Sequence, residues 1–198
     1  MLFRSLLNKL KQRFSTIISN RSNHHLLDSI PQDQLHLPYM KLLPKVHKLD
    51  RPASHNNITE LTGRPIITAH SWTTSNPSRL LGTELDNIIL QLKDFFKERD
   101  IIFPLIYNST DLLNLLDKQY ITDMDDLCFT TFDFTSLYTN ITYQNTIHAI
   151  IMSCKLLKLS FYRDYLLNLN NFINQHNFFA AGNSTYQQIK GVAMGKLP

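Results

Sequence analysis

Phe129-Thr130-Thr131-Phe132-Asp133-Phe134-Thr135-Ser136-Leu137-Tyr138-Thr139-Asn140-Ile141 is the stretch on which the reading of this chain turns. Aromatic and β-branched residues suit a pleated, half-buried surface, so the run into Asp133 reads as a strand. That strand delivers one carboxylate at its end, and the Tyr138 ring follows five residues later.

Upstream, a short helix follows Ser109, with Leu112, Leu113, Leu115 and Leu116 expected to face inward. Before it comes a strong helix start. Ser75 or Asn76 suits the cap and Pro77 the first turn. Leu81, Leu85, Ile88, Ile89, Leu92, Phe95 and Phe96 then form one apolar stripe. Further back, Arg64-Pro65-Ile66-Ile67-Thr68 is a strand signal, and Pro65 suits a strand's first residue or an edge strand. Residues 49–63 read as a loop. Leu35 to His47 reads as extended, because Pro38 and Pro44 exclude a continuous helix.

Downstream, residues 144–158 and 162–176 carry helical patterns. Phe178-Phe179-Ala180-Ala181, a Gly182-Asn183-Ser184 turn and Tyr186-Gln187-Gln188-Ile189 predict a hairpin. Helices and strands interleave, so the fold class is α+β.

At 198 residues and 43% hydrophobic, the chain can bury one sizeable core. Charged residues make up 18%, too few for a disordered polyelectrolyte. A net charge of +4 and a pI near 9.0 fit a polyanionic partner. Cys128 and Cys154 belong to no metal-type cluster and read as buried free thiols of a reducing compartment. No apolar run approaches the ~18 residues of a membrane span. Asn-x-Ser/Thr triplets at Asn20, Asn57, Asn108, Asn140 and Asn183 follow from an Asn-rich composition.

Two regions emerge. Residues 1–30 form a basic amphipathic segment with Arg4, Lys9, Lys11, Arg13 and Arg21 and no acid before Asp28. We read it as a basic helix packed on the domain or lying near nucleic-acid phosphates; the alternative is a mitochondrial presequence. Residues 31–198 form the second region.

Four segments then stand in a telling order. Leu43-Pro44-Lys45-Val46-His47-Lys48 comes first and Gly63-Arg64-Pro65-Ile66-Ile67 second. The Asp133 segment is third, and Gln188-Ile189-Lys190-Gly191-Val192-Ala193-Met194-Gly195 is fourth. Each alone is a weak signal. The ordered set resembles the reverse transcriptase domain of Penelope-like retroelements over roughly residues 35–195. That family reads Leu-Pro-Lys-Ile-His-Lys, Arg-Pro-Ile, Asp-x-x-Ser-Leu-Tyr-Thr-Asn-Ile and Gln-x-x-Gly-x-Ala-Met-Gly.

The resemblance implies fingers and proximal palm of an RNA-directed DNA polymerase, with RNA template, DNA primer and dNTP as partners and two Mg²⁺ as cofactors. Asp133 then matches the first metal-binding carboxylate, and Phe134 lends its backbone carbonyl to the same ion. Tyr138 matches the gate that excludes a ribose 2′-hydroxyl. Arg64 matches the fingers arginine on the triphosphate, and Lys45 and Lys48 are candidates for triphosphate or template phosphates. Gln188, Gly191, Met194 and Gly195 match the loop bordering the nascent base pair. These residue types suit the chemistry. Phosphoryl transfer needs charge neutralisation and in-line positioning, Mg²⁺ favours carboxylate and phosphate oxygens, and arginine offers phosphate a planar donor fork.

The departures are equally definite. In the family an aromatic-x-Asp-Asp pair follows the fourth segment, whereas here Lys196-Leu197-Pro198 stands there. The expectation is a truncated polymerase, short of the distal palm and thumb, that cannot complete a two-ion site alone. Asp123-Met124-Asp125-Asp126 resembles the missing pair but precedes Asp133, so it reads as a decoy. The competing reading is a non-catalytic nucleic-acid-binding remnant. Either implies a nuclear or cytoplasmic protein.

Overall fold

The computed structural model describes residues 2–15, 35–44, 63–68, 72–103, 105–117, 130–134 and 137–191. It is a mixed α+β fold. The helices are α1 (Leu2–Arg13), α2 (Ser75–Lys97), α3 (Ser109–Asp117), α4 (Leu137–Asn140), α5 (Tyr143–Leu156) and α6 (Ser160–Gln175). The strands are β1 (Tyr39–Pro44), β2 (Gly63–Thr68), β3 (Phe178–Ala181) and β4 (Ser184–Gln187).

The core is helical. α6 buries Tyr162, Tyr165, Leu166, Leu169, Phe172 and Ile173 at helical spacing. Leu80, Leu81, Ile88 and Leu92 of α2, Ile150 and Cys154 of α5, and Leu7 and Phe14 at the N-terminus complete the cluster. Each Leu, Ile or Phe among them contributes about 1.5–3 kcal/mol when fully removed from water. Glu84 is buried among them on α2 and accepts a hydrogen bond from the Tyr162 hydroxyl, the kind of partner a buried carboxylate requires. The Cys154 thiol is buried, as its helical setting implied, and burial pushes its pKa up. Cys128 lies outside the described residues.

Helix ends follow local chemistry. Thr142 caps α5: its hydroxyl accepts from the Asn145 N–H at 3.2 Å, and the Asn145 side chain accepts from the Thr142 N–H at 2.8 Å. α5 ends in a left-handed residue, Lys158 (φ 58°). The N–H of Leu159 donates to the Cys154 carbonyl and that of Lys158 to the Lys155 carbonyl, a Schellman closure. This turn folds α6 back on α5. For α2 the expected cap at Ser75 or Asn76 is corrected to Thr74. Ser75 is instead the first helical residue, and its hydroxyl accepts from the Trp72 N–H at 3.2 Å.

The sheet order is β2-β1-β3-β4, with β1–β2 and β3–β4 antiparallel and β1–β3 parallel. Pro65 therefore sits on an edge strand, where a missing donor is tolerated. Gly182 (φ 59°) makes the β3–β4 turn. Two contacts anchor the sheet: Ala180 N–H donates to the Pro38 carbonyl at 2.7 Å, and the Trp72 indole donates to the His176 carbonyl at 2.9 Å.

Two expectations are corrected. Residues 130–134 form no strand, and Phe132 is 92% exposed. β-propensity needs a partner ladder to act on, and the four strands of the sheet come from other segments. In α3, none of the leucines is buried, and Leu113 is 59% exposed. Local capping supports α3 instead. The Asn108 side chain accepts from the Asp111 N–H at 2.9 Å, and Asp111 accepts from the Tyr107 N–H at 3.0 Å.

These contrasts are measurable. Leu166→Ala is expected to cost about 2–5 kcal/mol in urea unfolding, and Leu113→Ala to stay within about 0.5 kcal/mol. Equal losses would mean that α3 shares the core after all.

Candidate functional site

Tyr138 lies in α4, a single helical turn closed by the Ile141 N–H donating to the Leu137 carbonyl at 3.1 Å. Tyr138 is 47% exposed. The fourth segment reaches it from the far end of the chain. Gly191 has φ 83°, and a Cβ there would sit 2.8 Å from the Tyr138 carbonyl oxygen and 3.0 Å from the Thr139 Cα. Glycine is required on both counts: the left-handed backbone disfavours a side chain, and the neighbour is rigid backbone.

Gln188 sets this approach. Its N–H donates to the Asn177 carbonyl at 2.9 Å, its side-chain oxygen accepts from the Asn177 amide at 2.7 Å, and its own amide donates to the Lys190 carbonyl at 3.2 Å. Asn177 and Gln188 stand one step beyond Phe178↔Gln187 in the hairpin register. Asn177 is buried and was not singled out from the sequence. The signal was available, since extending the hairpin pairing inward by one position makes Asn177 the partner of Gln188.

Arg64 lies elsewhere in the fold, exposed on β2 and directly opposite Leu43 of β1; Gly63 pairs with Pro44 in the same register. The first two segments are therefore neighbours through backbone ladder bonds. Lys45, Lys48, Met194 and Gly195 lie outside the described residues, as do Asp123 to Asp126 and, of the loop expected over 49–63, all but Gly63, which is corrected to the first residue of β2.

Asp133 and Phe134 are exposed. Among the described residues, no group of three or more His, Cys, Asp or Glu side chains is gathered as a metal site. Also among the described residues, no helix is long and apolar enough to cross a membrane. The Asp133 carboxylate and Phe134 carbonyl are hard oxygen donors of the kind Mg²⁺ takes alongside phosphate oxygens and water.

The chain matches no protein-family model, no curated protein and no solved structure.

The docking of Gly191 can be tested against the other left-handed glycine. At Gly182 an added Cβ meets nothing within 4 Å, so Gly182→Ala carries only backbone strain, about 1–2 kcal/mol. Gly191→Ala adds the collision with Tyr138 and is expected to release the 188–191 segment, seen as faster amide exchange at Thr139 and Lys190. Unaltered exchange at those amides would contradict the docked arrangement.

Proposed function

We propose that this chain is the fingers and proximal-palm portion of an RNA-directed DNA polymerase of the Penelope-like kind. The observation that carries the reading is the seating of Gly191 on the Tyr138–Thr139 backbone. Four motifs in order could be coincidence of composition. A glycine in the fourth that is required by backbone belonging to the third is a tertiary relation between them. The β1–β2 ladder, which joins Leu43-Pro44 to Gly63-Arg64, gives the first two motifs the same kind of support.

In this reading Asp133, with the Phe134 carbonyl, would hold Mg²⁺, and the ion would neutralise charge on the nucleotide's phosphates. Arg64 binds the triphosphate through charge-assisted hydrogen bonds. The Tyr138 ring stands under the sugar and excludes a 2′-hydroxyl by contact. Gln188 acts as a positioning residue, because its side chain is engaged with Asn177 and the Lys190 carbonyl. It orients the backbone that would border the nascent base pair. Lys45 and Lys48 supply positive charge for phosphates.

Primer extension tests the assignment, in a polypeptide that carries these 198 residues together with a second acidic pair. There Asp133→Asn is expected to lower Mg²⁺-dependent extension on the order of 10³-fold, while Asp125→Asn with Asp126→Asn does little. Near-normal extension by Asp133→Asn would remove the assignment.

Tyr138→Ala, in the same assay, is expected to raise the ratio of ribonucleotide to deoxyribonucleotide incorporation about 10-fold or more. An unchanged ratio in a folded, active variant would reduce Tyr138 to a packing residue.

A further inference from the structure

α1 presents a surface that none of the four motifs uses. It contains Arg4, Lys9, Lys11 and Arg13 and no acid. Its apolar side is already occupied. Leu7 and Phe14 are buried, Leu6 and Leu10 pack against the same cluster, and the Phe14 ring meets Tyr165 of α6 edge-on at 5.4 Å. Lys9 and Arg13 remain exposed. They stand four residues apart and so share one face of the helix.

A pair of aromatic rings begins at Arg13. The Arg13 guanidinium lies 5.4 Å from the Phe14 ring centroid, and Phe161 of α6, 57% exposed, lies 6.1 Å from that same ring. Asp164, the one acid of α6, is engaged with Arg163 at 3.1 Å.

Basic amphipathic helices bind two kinds of polyanion, and burial discriminates between them here. Membrane binding sinks the apolar face into the acyl boundary, and α1 has committed that face to the protein core. Phosphate binding needs only the cationic face. An exposed ring packed on the aromatic that Arg13 contacts suits unstacked bases, which single strands offer and duplexes do not.

We propose that the α1–α6 junction is a binding surface for single-stranded nucleic acid, with phosphates on Lys9 and Arg13 and a base on the Phe161 ring. It rests on the nucleic-acid reading above for its class of partner and adds a contact outside the motif residues.

Fluorescence anisotropy of the 198-residue chain with labelled oligo(dT), titrated over a range of NaCl concentrations, tests it. Each lost phosphate contact lowers the slope of log affinity against log salt by about 0.7 for a single strand. Lys9→Gln with Arg13→Gln is therefore expected to lower it by about 1.4, and Lys9→Arg with Arg13→Lys to preserve it. Phe161→Ala is expected to weaken binding about 5-fold or more with the slope retained, and circular dichroism verifies that each variant is folded.

An unaltered slope in the charge-removed variant overturns this surface and leaves the polymerase reading standing. Unaltered affinity in Phe161→Ala overturns the base contact. Binding to phosphatidylserine vesicles with none to oligo(dT) at low salt overturns the inference together with the nucleic-acid reading.

Discussion

Burial of the apolar face of α6 is the constraint from which the rest of this structure follows. Tyr165, Leu166 and Leu169 are nearly or fully removed from water, and α1, α2 and α5 each contribute side chains to the cluster around them. Close-packed interiors tolerate little change of volume, so the position of each surrounding helix is set by its fit to this one. The cluster also admits a carboxylate, Glu84, on condition that the Tyr162 hydroxyl reaches it. That pair ties α2 to α6 by a directional bond.

The candidate site inherits its geometry from the two ends of the α5–α6 pair. At the N-terminal end, the Thr142–Asn145 capping box fixes where α5 begins and so where α4, with Tyr138, must stop. At the C-terminal end, α6 runs out at His176, whose carbonyl is held by the Trp72 indole. Asn177 then grips Gln188 across the base of the hairpin. Gly191 follows three residues later and closes the circuit on Tyr138. Tyr138 and Gly191 thus lie on surface turns positioned by a buried scaffold.

The long helices were legible because their apolar residues repeat at 3.6 and their boundaries carry turn chemistry. The hairpin was legible because Gly182-Asn183 interrupts two short β-rich runs, and β2 because Pro65 confines it to an edge. Three features were not. The run into Asp133 has strand-like residues, but strand formation depends on a ladder partner that no local pattern specifies. Leu112 and Leu113 follow helical spacing, yet amphipathicity states only which side would face a core, not that a core is there. Thr74 rather than Ser75 stands at the N-cap position of α2, a one-residue difference that the run of Thr73, Thr74 and Ser75 leaves open.

By itself, the sequence determined the long helices, the hairpin, the α+β class and the four motif segments, because periodicity, capping and turn preference act over a few neighbouring residues. Only the tertiary structure decided which of those segments meet. The approach of Gly191 to Tyr138 and the packing of Phe14, just past α1, on Tyr165 of α6 join residues far apart in the chain. Their pairing follows from packing in three dimensions, and a one-dimensional pattern of residue types does not encode it.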